Sequence, residues 1–116
     1  MTTSLTLNEY QKEAFQTAIY PEAGTGSLLA MMYCGLGLGE SGECQGKIKK
    51  ILRDDNGILT SERREAIIGE LGGQLWYIGA LATEMDITLE EIASKNLTTL
   101  SSRQERGVLH GSGDNR

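Results

Sequence analysis

"LLAMMYCGLGLGESGECQGKIKKILR", residues 28–53, can be read in two ways, and the choice decides the fold. Its centre, "GLGESG" at 37–42, has the GxGxxG spacing of a dinucleotide-binding turn. Such a turn needs a strand before it and a βαβ unit around it. Neither is visible, and the Gly-Lys-Ser/Thr ending of a P-loop is missing as well. The helical reading remains. Against it stand the glycines at 35, 37, 39, 42 and 46, each costing a helix about 1 kcal/mol relative to alanine. That cost is tolerated where another helix or a ligand must approach the backbone closely.

The flanking sequence is also helical. Thr6 and Glu9 have the spacing of a capping box, and "LNEYQKEAFQTAIY" carries apolar residues at helical spacing up to Pro21. "PEAGTGS" reads as a loop and "DDNG" at 54–57 as a turn. Thr60 or Ser61 can cap a helix running to about Met85, and Thr88 with Glu91 forms a second capping box. Leu89, Ile92, Ala93, Leu97 and Leu100 then continue one apolar face. Period-2 alternation is nowhere sustained. The expectation is an all-α domain, a four- to five-helix bundle over 1–106, followed by a glycine-rich, mobile tail over 107–116.

Composition narrows the function. At 116 residues the chain is one domain, and its 39% hydrophobic content supports only a modest core, so self-association is expected. A net charge of −5 argues against binding a nucleic-acid polymer or an anionic membrane surface. The near-apolar run at 28–38 is about half the roughly 20 residues needed to span a bilayer. The N-terminus lacks the basic and apolar regions of a signal peptide, which makes the cytoplasm the expected location. Cys34 and Cys44 form no CxxC pair and His110 lies far from both, so a zinc site or redox dithiol is not expected.

The carboxylates carry more. On a helix, Glu40, Glu43, Lys47 and Lys50 fall at i, i+3, i+7 and i+10, on one face. Two carboxylates one turn apart can hold a hard cation such as Mg²⁺ or Mn²⁺, and the lysines beyond can meet phosphate. The plainer alternative is a solvated face with a Glu43–Lys47 pair worth about 0.2–0.5 kcal/mol. Glu70, on the next long helix, can come opposite the first pair if the two helices run antiparallel. Trp76 and Tyr77 on that helix read as core or interface residues.

Together, "GLGLGESGECQGKIKKI" and "GELGGQLWYIGALATEMDITLEEIASKNLTTL" resemble the MazG-like nucleoside triphosphate pyrophosphohydrolases, and the likeness extends over nearly the whole chain. These all-α enzymes carry ExxE on one helix and ExxD on the next. The resemblance implies Mg²⁺- or Mn²⁺-dependent hydrolysis of (deoxy)nucleoside triphosphates, purine deoxynucleotides among them, to the monophosphate and pyrophosphate. It implies a dimer or dimer of dimers in a bacterial or phage-infected cell. By the same resemblance Glu40, Glu43 and Glu70 are metal ligands, and either Glu40 or Glu43 can act as base toward the attacking water. Lys95 and Asn96 match a "KN" pair that lies near the nucleotide in relatives, and Arg103 and Arg106 could close with the tail over the triphosphate. The departure is Gly73, where the pattern has aspartate. It leaves three readings open: a site of three carboxylates and extra water, a weakened relative, or an inactivated variant.

Overall fold

The structure, a computed structural model, describes residues 4–116. Its helices are α1 (Leu7–Phe15), α2 (Leu28–Leu38), α3 (Gly42–Asp54), α4 (Ser61–Glu84) and α5 (Leu89–Glu105), and no strand occurs among the described residues. The expected all-α class is observed.

Each start follows from its local sequence. Thr6 Oγ1 accepts from Glu9 N–H while a Glu9 carboxylate oxygen accepts from Thr6 N–H, both at 3.1 Å. Ser27, Thr60 and Thr88 cap α2, α4 and α5 with the hydroxyl alone, each accepting from the backbone N–H three residues on. The expected second capping box is half made, because the Glu91 carboxylate stands by Lys95 at 3.7 Å rather than on Thr88 N–H. The ends are less local. α1 stops at Phe15 rather than running towards Pro21, because the carbonyl of Ala14 accepts from the Thr17 hydroxyl and the Trp76 indole. α4 closes in a Schellman motif, with Asp86 N–H on Thr83 O and Ile87 N–H on Ala82 O. Asp86 holds the left-handed position of that motif at φ +57°.

The 28–53 segment is helical apart from one 3-10 turn over Gly39–Ser41. That turn winds more tightly than an α-helix and so rotates Glu40 from the register of Glu43 and Lys47. Only one of the five glycines has an intrachain reason. A Cβ on Gly37 would come closer than 3.0 Å to the Tyr77 ring, whereas positions 35, 39, 42 and 46 have nothing within 4 Å.

α4 is the central element and packs against all four other helices, while α5 rests on α1 and α4. Among the described residues the buried apolar ones are few and mostly small: Ala30, Cys34, Ile51, Ala80, Ala82 and Leu89. α2, without a charged residue, still leaves Leu28 and Leu36 largely exposed. The radius of gyration is 17.2 Å, against about 13 Å for a compact domain of 100 residues. No helix among the described residues is long and apolar enough to cross a membrane.

Candidate functional site

α2 and α3 run antiparallel to α4, as successive cross-contacts establish. Arg63 Nε donates to Asp55 Oδ2 at 2.8 Å, Lys47 Nζ lies 3.7 Å from Glu70 Oε1, and Gln74 Nε2 donates to Gly37 O at 3.3 Å. As the chain climbs α4 from 63 to 74, its partners descend from 55 to 37. Between the last two contacts, the Glu40 turn and the first turn of α3 face the Glu70–Gln74 segment.

Glu70 is half-buried and faces α3. Its partner Lys47 follows Glu43 by four residues, so the Glu43 side of α3 is the side turned towards Glu70. The local Glu43–Lys47 pair gives way to this interhelical contact. Glu40 and Glu43 are exposed. Among the described residues, no three Asp, Glu, His or Cys side chains stand close enough to hold a metal ion as placed. Gly73, one turn beyond Glu70, has nothing within 4 Å of a built Cβ, so this face has room for a side chain.

The expected phosphate-binding residues lie in two places. Lys47 stands at Glu70, and Lys50 is exposed one turn further along α3. Lys95 and Asn96 are exposed on α5, with Lys95 Nζ 3.7 Å from Glu91 Oε1. α5 does not pack against α3, so the chain by itself does not bring the "KN" pair to the acidic residues. Arg103 and Arg106 donate to the carbonyls of Asp114 and Arg116, at 3.1 and 3.0 Å. Arg116 in turn donates to Val108 and Gly113 carbonyls, which folds the tail back on the end of α5.

A cluster of aromatic rings lies further along α4, past Gln74. Trp76 meets Tyr77 and Tyr20 edge-to-face, with centroids 5.1 and 6.3 Å apart. Its indole N–H is satisfied by Ala14 O and Thr17 Oγ1. Tyr20, Tyr33, Trp76 and Tyr77 contribute to a recess of about 210 Å³.

Two buried polar centres escaped the sequence reading. Glu84, 4% exposed, accepts from Gly24 N–H at 2.7 Å, Gly26 N–H at 2.8 Å and the Tyr20 hydroxyl. Burial pushes its pKa up, but the hydrogen bonds from Gly24, Tyr20 and Gly26 outweigh burial and hold it below the ordinary value. Gly24 and Gly26 adopt φ +85° and +74°, so that the loop turns both N–H groups onto one carboxylate. The Tyr20 hydroxyl is pushed up by burial and by Glu84, and burial raises the adjacent Cys34 thiol, which suits an unreactive core thiol. Gln11 is the second centre. It accepts from Leu89 N–H at 2.8 Å and donates to Ile87 O and Thr83 Oγ1, tying α1 to the α4–α5 connection. The alternating glycines of "GTG" were the available signal for the first centre; nothing local marked the second.

No protein-family model matches this chain, and no solved structure matches it. It is 48% identical over 109 residues to the Gene 37 protein of Mycobacterium phage L5, a match covering 92% of this chain and 96% of that protein. Identity at this level over almost the full length of both proteins means that the chain belongs to the family of that phage protein.

Proposed function

We propose that this protein hydrolyses (deoxy)nucleoside triphosphates to the monophosphate and pyrophosphate in a metal-dependent reaction, in the manner of the MazG-like enzymes it resembles. The phage relative suits a role in nucleotide-pool control in the cytoplasm of an infected bacterium. The observation that carries the reading is the Lys47–Glu70 contact at 3.7 Å, which turns Glu70 towards the Glu43-bearing side of α3. Glu40, Glu43 and Glu70 offer only carboxylate oxygens, the donor type that Mg²⁺ and Mn²⁺ favour. The three do not converge as they stand; with the exposed Glu40 and Glu43 side chains turned towards Glu70 they would hold the ion, which would supply charge neutralisation of phosphate and a more acidic water. Glu40 or Glu43 takes the proton of the attacking water. Lys47 and Lys50 bind phosphate oxygens from α3. The aromatic recess supports a nucleotide over bare polyphosphate, since Tyr33 and Glu40 are seven residues, about 10 Å, apart along the helix. Lys95, Asn96, Arg103 and Arg106 remain candidates for the nucleotide of a neighbouring copy in a dimer or tetramer, because α5 does not pack against α3.

A second reading is favoured by Gly73. Nothing stands within 4 Å of its built Cβ, so no neighbouring side chain takes the place of the missing carboxylate there. On this reading the chain binds nucleotide and has lost most of the chemistry. Pyrophosphate release from the common nucleoside and deoxynucleoside triphosphates, with Mg²⁺ and with Mn²⁺, separates the two. Turnover that disappears in Glu40→Gln and Glu43→Gln proteins of unchanged helicity supports the enzyme. Nucleotide binding without pyrophosphate release supports the weakened relative, and neither binding nor release refutes both.

A further inference from the structure

A recess of about 330 Å³ opens between α1 and the α4–α5 connection. It is remote from the acidic residues: Thr83, on its wall, is ten residues beyond Gly73, about 15 Å further along α4. Polar side chains hold its walls together. Gln11 accepts from Leu89 N–H at 2.8 Å and donates to Ile87 O at 2.9 Å and Thr83 Oγ1 at 3.1 Å. Asn8 Oδ1 accepts from Glu90 N–H at 3.1 Å, and its Nδ2 donates to a Glu90 carboxylate oxygen at 3.2 Å. The recess is thus formed before any ligand arrives. Phe15 and Ile87 supply apolar surface, while Lys12 and Asp86 bring one charge of each sign. Neither charge is spent within the protein, since the ion pairs of the described residues involve other side chains. The Thr88 hydroxyl accepts from Glu91 N–H and keeps its own proton to donate. Asp86 stands at φ +57°, the left-handed position after α4 where glycine is favoured, so the turn itself makes no use of the carboxylate.

We infer that this recess binds a small zwitterion with an apolar body, of the class of the apolar α-amino acids. Lys12 takes the ligand's carboxylate and Asp86 its ammonium group, with the Thr88 hydroxyl as a further donor. The hydrocarbon side chain lies against Phe15 and Ile87. Size and charge together select this class. A volume of about 330 Å³ is at the lower end of the roughly 300–1,000 Å³ of small-ligand pockets, which suits a ligand smaller than a nucleotide. A simple anion would face Asp86 and a simple cation would face Lys12. A neutral ligand would strip water from both charges and replace it with nothing. A ligand carrying both charges satisfies both residues. The inference goes beyond the proposed chemistry and does not depend on it, because none of these residues belongs to the acidic region.

Titration of the full chain with L-leucine and with L-phenylalanine, followed by amide chemical shifts, is expected to saturate with a dissociation constant of about 1 mM or below. The shifts should centre on Lys12, Asp86 and Thr88 and spare Glu43 and Glu70. Hydrocinnamate, which lacks the ammonium group, and phenethylamine, which lacks the carboxylate, are each expected to bind at least about tenfold more weakly than phenylalanine. Lys12→Met and Asp86→Gly should each weaken phenylalanine binding at least about tenfold. Glycine suits the backbone at φ +57°, so Asp86→Gly removes the carboxylate and keeps the fold, which circular dichroism checks. No saturation with either amino acid by about 10 mM overturns the inference. Hydrocinnamate or phenethylamine binding as tightly as phenylalanine, or undiminished affinity in Asp86→Gly, overturns it as well.

Discussion

Two alanine substitutions in α2, at positions only two residues apart, should move stability in opposite directions. Gly35→Ala and Gly37→Ala each relieve the helix of a glycine, a gain of up to about 1 kcal/mol common to both. A Cβ at 35 meets nothing within 4 Å, whereas at 37 it comes closer than 3.0 Å to three atoms of the Tyr77 ring. That ring cannot retreat cheaply. It packs edge-on against Trp76 at 5.1 Å, and the Trp76 indole is tied to Ala14 and Thr17. Forcing a methyl group into such a contact costs about 1–3 kcal/mol. Gly35→Ala should therefore be more stable than the parent, and Gly37→Ala should fall about 1–3 kcal/mol below Gly35→Ala. The common propensity gain cancels in that comparison, leaving the α2–α4 contact alone. Urea denaturation of both variants and the parent, at one protein concentration so that any self-association is held constant, measures the gap. Equal midpoints for the two variants would refute the close approach of α2 to α4, and with it the position of Glu40 relative to Glu70.

Glu84→Gln should cost about 1.5–3 kcal/mol at neutral pH, since it removes the charged acceptor from three donors. The folded pKa of Glu84 lies below the ordinary glutamate value. Its contribution is therefore complete above that value and is lost as pH falls through the lower folded pKa; denaturation between about pH 5 and pH 2 should show a shallower acid loss in the variant. Gln11→Ala leaves Leu89 N–H without its acceptor and should cost about 1–3 kcal/mol, read by thermal unfolding. Gly73→Asp should gain a few tenths of a kcal/mol in helix propensity and bind Mn²⁺ more tightly by calorimetry, with pyrophosphate release raised. Unchanged Mn²⁺ affinity in a folded Gly73→Asp protein would mean that position 73 does not face the acidic residues.

Features that depend on a few neighbouring residues were legible in the sequence. The hydroxyl caps at Thr6 and Thr88 were, because donor and acceptor lie three residues apart, and of the two candidates at 60 and 61 the structure uses Thr60. The "DDNG" turn was as well, with Asn56 and Gly57 both at positive φ. Composition set the all-α class by offering no alternating stretch. The end of α1 was not legible, because it depends on an indole 62 residues away. Glu84 was hidden for the same reason. In "ALATEMD" it looks like the exposed last turn of a helix, and only the fold brings Gly24 and Gly26 to it from some 60 residues away.

The acidic region shows the same division between local and distant information. Sequence spacing offered Lys47 a local partner, Glu43, at i−4, and the structure pairs it with Glu70 on the neighbouring helix. The choice follows from burial. A half-buried carboxylate facing another helix loses more by standing uncompensated than an exposed one such as Glu43, where water already screens the charge. Lys47 balances the Glu70 carboxylate at 3.7 Å. A glycine at 73 costs the α3–α4 contact nothing, because nothing stands within 4 Å of a Cβ at that position. A glycine at 73 and the observed α3–α4 packing are compatible for this reason.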